Sequence, residues 1–402
     1  MPRQSGQNFT IAFKEQGSGL GSTESTGTGA SVLRCSSSQG FQLQSTSIED
    51  PTINTTGEQP LGRLGSYFAN GQFSVPLRMD QSIEDLIEAQ LRGTWVAAIA
   101  LDESTGSLGA ITISSDVITA AGGSWITQGV RVGQMIKIEG SSAAANNDFW
   151  IRVTGVTAST LTVPTGTLTD AASDAAWDIT IAKHLIVDDP PTDRYFTVEE
   201  RFGDADVSKL ASDVKIGGFG LSVSADNVVS LQFTMAGTDL VPIASGASPY
   251  FTSLTPSTTD ALVLLDGEVV VGGDATIELT DFSFNFDGSP TGVATLGQRA
   301  SPDVFLSNSR GTGSLSGIMS DLSMLTALKA ETNLEVHIVA SENETEPADM
   351  MAFYFGNSAY RSNNQPLGAD GPLIQGAGWE FGPDGRGTGY YNAAMIVSST
   401  LA

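Results

Sequence analysis

The 402-residue chain has little of what catalytic and metal-binding proteins use. Its one cysteine, Cys35, permits no intrachain disulfide and excludes a cysteine-rich zinc or iron–sulfur site. Two histidines, His184 and His337, are too few for a histidine-rich metal site, and no partners for nucleophilic catalysis can be nominated. Basic residues are scarce: 19 Lys and Arg against 45 Asp and Glu give a net charge of −26. That balance disfavours a surface that grips nucleic acid or anionic lipid, since both need basic patches. It suits a surface past which nucleic acid slides, and equally suits acidity for solubility alone. No apolar run approaches the roughly 20 residues of a membrane-spanning helix. The stretch MPRQSGQNFTIAFKEQGSG lacks a signal-peptide core, so folding in a cytoplasm is expected. There is no Walker loop, zinc-ligand spacing or EF-hand, and GSGLG (17–21) neither follows a clear strand nor opens a helix.

What is abundant is punctuation. With 45 glycines and many Ser and Thr, the chain reads as short strands joined by tight turns. Residues 14–38 read as an extended arm. FQLQSTSI (41–48) alternates like a half-buried strand, followed by a long Gly/Pro-punctuated connection. MDQSIEDLIEAQLRGTW (79–95) is a helix: Ile83, Leu86, Ile87 and Leu91 recur at helical spacing, with Ser82 as cap and Asp85 three residues on. From about 106 to 182, five short strand-like runs predict a small all-β domain. GGFGLSVSADNVVSLQFTMAG (217–237) is a hairpin turning at Asp226-Asn227, and residues 275–288 alternate at Ile277, Leu279, Phe282, Phe284 and Phe286.

The helix has a twin. Residues 314–340 repeat strand, helix, strand, with Leu322, Leu325 and Leu328 on one helix face. In this alignment MAFYFG (351–356) matches YFTVEERF, and 376–397 matches the 217–237 hairpin, with Pro383-Asp384-Gly385 at the turn. WVAAIA (95–100) matches LEVHIVA (334–340). A duplicated domain is expected, interrupted in its first copy by 102–193 where the second has only SENETEPAD. The expected divisions are 1–101 and 194–240 for the first copy, 102–193 for the insert, 241–260 for a linker and 261–402 for the second copy. Both histidines are expected to be packed rather than ligating. The carboxylate pairs Glu84-Asp85, Asp188-Asp189 and Glu199-Glu200 are expected to be solvated or lumen-facing charges: Glu199 and Glu200, as strand neighbours, face opposite sides and cannot share a substrate, and Glu84-Asp85 suits the helix dipole. No catalytic, cofactor-binding or metal-binding residues are nominated, and no enzyme activity is expected.

The strand LQSTSIEDP (43–51), the strand–helix unit GSYFANGQFSVPLRMDQSIEDLIEAQLRGTW (65–95) and the flexible arm resemble tail tube proteins of long-tailed, non-contractile (siphovirus-type) bacteriophages. The insert segment GQMIKIEGSSAAANNDFWIRVTGVTASTLTV (133–163) is similar to small β modules on phage tail proteins. The resemblance implies an all-β dominated fold: two tandem tube β-sandwiches, each with a flank helix, plus an inserted small β-barrel-like domain. It implies a virion protein assembled in the host cytoplasm into stacked rings, a conduit for DNA ejection that binds no cofactor. Inner sheets would join into a barrel, as a trimeric, pseudo-hexameric ring or, without duplication, a hexamer. Implied ring-stacking residues are Glu58, Arg63, Tyr67, Arg299, Asp303 and Phe305, and lumen candidates are Glu278, Asp281 and Asn285. Implied partners are other copies of the chain, a tape measure protein, and tail tip or terminator proteins, with viral DNA passing through unbound and no membrane involved. The alternative is a surface-displayed adhesin or carbohydrate-binding β protein.

Overall fold

Alternating polar and bulky apolar residues make strands, and the two longest, Val207–Ser224 and Met350–Asn364, organise the fold. The computed structural model describes every residue except 1, 2, 7, 25, 26, 28, 53, 54, 273–277, 344, 346, 366–370 and 402. The C-terminal part of Val207–Ser224 pairs with Ser230–Gly237, which pairs with Arg63–Pro76, which pairs with Gln42–Ile48. The second half repeats this order: Met350–Asn364, Ile374–Gly382, Arg310–Ile318, Leu279–Asp287. The N-terminal part of each long strand turns into an opposite layer. It lies between Phe196–Phe202 and Asp239–Ile243 in the first copy, and between Leu334–Ser341 and Ile396–Ser399 in the second.

The long strands change layer at equivalent irregularities. Gly217 is the extra residue between the Ile216 and Gly218 pairings, and Arg361 that between Tyr360 and Ser362. The preceding hairpins shift register at Phe196/Val198 and at Leu334/Val336. Bulges bend strands from one sheet to another, and here they recur at like places in a repeated order of elements. The same comparison moves three expected equivalences by one element. Phe196–Phe202 corresponds to Leu334–Ser341, Val207–Ser224 corresponds to Met350–Asn364, and Pro383-Asp384-Gly385 lies after the hairpin instead of at its turn.

The copies are joined edge to edge. Gly218–Ser224 pairs antiparallel with Asp281–Asp287, giving one layer of eight strands. The break in alternation between Leu279 and Phe282 is a bulge at Leu279/Asp281, while Ile277 lies outside the described residues. The core is continuous across the seam, with Phe219 5.3 Å from Phe284 and 5.9 Å from Phe353, ring centre to ring centre. Gly311 and Gly313 leave room for aromatics, since a Cβ would sit 2.3 Å from the Phe381 ring or 2.4 Å from Trp379.

Helix α1 (Gln81–Leu91) buries Ile83, Leu86, Ile87 and Leu91 in this core. Its cap is Asp80 rather than Ser82: the Asp80 carboxylate accepts from the Ser82 amide at 3.1 Å. Helix α2 (Ser323–Ala330) begins later than expected, so Leu322 is its exposed N-cap instead of a core-facing helix residue. Met324 is buried instead, with Ala327 and Leu328 half-buried beside it and Leu325 at the margin.

The insert leaves directly after α1. Ile99–Asp102, expected as the strand leaving the helix, pairs with Asp178–Ile181 inside the insert. Two small sheets enclose a core containing Trp125, Trp177, Ile136 and Leu161. The insert packs on the opposite layer of the second copy, where Met135 and Ala182 meet Val339, Met350 and Ala352. Its returning strand Lys183–Leu185 pairs with Ile396–Ser399.

Candidate functional site

Groups that might have carried chemistry are used to tie the fold together. His184 Nε2 lies 2.9 Å from the Tyr391 hydroxyl, fastening the insert's return to the C-terminal segment. His337 is fully buried on Leu334–Ser341, and burial holds its pKa down at about 3. The expected solvation of the carboxylates fails for three of them. Glu199 and Glu200 point to opposite sides as expected but are 2% and 0% exposed. Glu199 accepts from the Tyr250 and Phe251 amides at 2.6 and 2.9 Å, and Glu200 accepts from the Phe41 amide at 2.7 Å. Glu84, also 0% exposed, pairs with Lys183 at 2.6 Å. Each anchors a distant segment that cannot be read from local sequence. No cluster of three or more His, Cys, Asp or Glu suited to a metal occurs among the described residues.

The feature that stands out is the outward face of the eight-stranded layer. Alternation sends Phe73, Val75, Leu231, Phe233, Phe282, Phe284 and Leu315 into the core. The opposite face carries Gln72, Ser74, Ser222, Ser230, Gln232, Ser283, Asn285, Thr312 and Ser314, with Gly218, Gly220, Gly376 and Gly378. A trough of about 390 Å³ runs along it between Ser74, Gln232, Asn285 and Ser314. The Ser283 and Ser314 hydroxyls lie 2.8 Å apart across its floor.

Charge on this face is sparse and partly paired. Glu380 accepts from Arg310 and, at 3.2 Å, from Arg361, which holds its carboxyl below the usual range. Asp281 and Asn285, two of the expected lumen residues, lie on this face. Glu278 is exposed just before the strand, its carbonyl accepting from the Ile318 amide. The wall is small, hydroxylated and amidated, so most of the −26 charge lies elsewhere.

At both ends of the layer, Gln42–Ile48 and residues 362–364 have no strand partner on their outer side among the described residues. Gln42–Ile48 is exposed at every residue, and Ser362 and Asn364 are exposed on the opposite edge. Exposed edges invite pairing with another chain.

The expected stacking residues divide into two groups. Glu58 and Arg63 are exposed on the connection following Gln42–Ile48, which continues as an extended hairpin through the Ile48–Arg63 pair. The corresponding loop of the second copy instead folds back on the first. Tyr67 donates its amide to the Arg299 carbonyl at 2.8 Å, and the Ser301 amide donates to Tyr67 at 3.1 Å. Asp303 accepts from Lys215 and from Tyr195, each at 3.3 Å. Lys215 is buried, and although burial disfavours its charge, contacts with Tyr195 and Asp193 keep its pKa raised. Phe305 remains exposed. Tyr67, Arg299 and Asp303 therefore belong to a clasp between the copies, a role sequence spacing gave no signal for.

No curated protein matches the chain. A family model described as phage tail tube protein matches residues 11–381, and with nearly the whole chain covered the protein belongs to the phage tail tube family.

Proposed function

We propose that three copies close into a ring by joining their eight-stranded layers edge to edge, and that rings stack into the conduit for DNA ejection. The observation that carries this reading is the neutral polar layer with a strand edge at each end that has no partner among the described residues. A closed barrel removes both edges at once, so the aggregation-prone feature of the protomer becomes its assembly device. Two sandwich copies per chain give each trimeric ring six. The barrel interior would be the Ser/Thr/Asn/Gln/Gly face, on which phosphates find few cations to hold them. The extended hairpin carrying Glu58 and Arg63 would contact the next ring, while the clasped loop containing Asp303 stiffens the seam within each chain. The insert, packed on the opposite layer, would decorate the tube exterior. Expected partners at the tube ends are the tape measure, tip and terminator proteins.

Electron microscopy of the purified chain tests this directly. Rings or tubes of constant width with threefold symmetry and an interior lined by Gln232, Asn285 and Thr312 are expected. A true sixfold ring of six chains, or a wall lined by Lys and Arg, overturns it.

A further inference from the structure

The seam between the two copies has an observed register, and its equivalents on the free edges specify another. Matching the bulged residues Gly217 and Arg361 places Gly218 on Ser362 and Gly220 on Asn364. Carrying the match across the layer equates Ala236 with Glu380, and so their partners Asn70 and Thr312. These pair with Gln42 and Asn285, so Gln42 stands where Asn285 does and Gln44 where Asp287 does. Within the chain, Gly218 faces Asp287 and Gly220 faces Asn285.

We infer that a second copy of this chain docks on the Gln42–Ile48 edge at residues 42–44 through its residues 362–364, with Ser362 opposite Gln44, Asn363 opposite Leu43 and Asn364 opposite Gln42. This rests on the ring reading and deepens it by fixing which residues meet. Three further observations favour the occupant. The four polar side chains Gln42, Gln44, Ser362 and Asn364 would lie on one face and exchange amide and hydroxyl hydrogen bonds, continuing the polar wall. Leu43, 43% exposed on its own protomer, would be covered as its counterpart Phe286 is covered at the internal seam. The Asn363 amide nitrogen, buried without a hydrogen-bond partner among the described residues, lies at the same edge. The seams also differ. At the internal seam Lys215 anchors the loop through Asp303, whereas its counterpart Ala359 offers no charge. The register between chains is therefore set by the strands and needs no clasp.

Cysteine pairing separates this register from its neighbours. In a Cys35→Ser background, Gln44→Cys with Ser362→Cys places two thiols directly opposite, within disulfide reach. Gln42→Cys with Ser362→Cys lies two residues out, too far to bridge. Oxidising assembled rings and running non-reducing gels should give covalent dimers and trimers at least about tenfold more from the first pair than from the second. Both variants change exposed edge residues, and microscopy of each before oxidation confirms that rings have formed. Rings that cross-link through the second pair, or through neither, overturn the register and leave the ring reading intact. Absence of rings from the unaltered chain overturns the ring reading itself, and the register with it.

Discussion

Individual side chains in this protein act chiefly as fasteners, and buried charge is where they can be tested. Glu84 is closed off from solvent on α1, and Lys183, on the strand returning from the insert, is its cation. Lys183→Ala leaves an uncompensated buried carboxylate and should cost about 3–5 kcal/mol in urea unfolding of unassembled protomers. His337 gives a pH signature. Its folded pKa of about 3 lies below the unfolded value of 6.5, so its contribution is complete above pH 6.5 and lost as pH falls toward 3. Glu84, Glu88 and Glu200 run the opposite way, because burial raises their pKa values and acidification relieves them. Comparison with His337→Phe isolates the histidine: between pH 6.5 and 5 the wild type should lose about 2 kcal/mol more than the variant. Arg152, whose charge also opposes protonation, and Tyr354 are unchanged by that substitution.

At the scale of elements, the two flank helices share a position in the order, and each packs an i, i+3, i+4 stripe on the core, Ile83, Leu86 and Ile87 in one and Met324, Ala327 and Leu328 in the other. In α1 the periodicity of Ile83, Leu86, Ile87 and Leu91 maps directly onto the buried face, because 11 residues give three turns against a continuous core. In α2 the leucine spacing holds only in part: Leu328 packs on the core, Leu322 does not. The helix starts after Leu322, and Met324 takes the inward position. Ile87→Ala should therefore cost about 3 kcal/mol and Leu322→Ala less than about 0.5, measured by denaturant midpoint on the unassembled protein. Removing the cap with Asp80→Ala should cost about 1 kcal/mol. The strands were legible through alternation, but equivalences between copies slipped by one element, since an alternating pattern fits any neighbouring strand equally well.

For the whole molecule, net charge acts on assembly rather than on fold. Protomers carrying −26 repel one another, and the residues proposed to meet between chains, Gln42, Leu43, Gln44, Ser362, Asn363 and Asn364, are uncharged, so added salt removes a barrier without weakening those contacts. Raising ionic strength from about 0.05 to 0.5 M should speed polymerisation followed by light scattering. Slower assembly at high salt would point instead to seams built on ion pairs.

The sequence by itself determined a strand-rich chain in which two short helices fall at like places in the order of elements, with a run of short strands between about 106 and 182. Those features follow from periodicity, element order and composition, all of which are local or additive. Tertiary structure decided which side chains are paired and which edges are left open. Glu199 and Glu200 look solvated in sequence because the amides that bind them lie 51 and 159 residues away. The Asp303 clasp and the insert's seat on the second copy likewise join residues far apart in the chain. The neutral face of the eight-stranded layer was hidden by a net charge that sums the whole surface. It emerges only when pairing registers place serines, glutamines and glycines from both copies side by side.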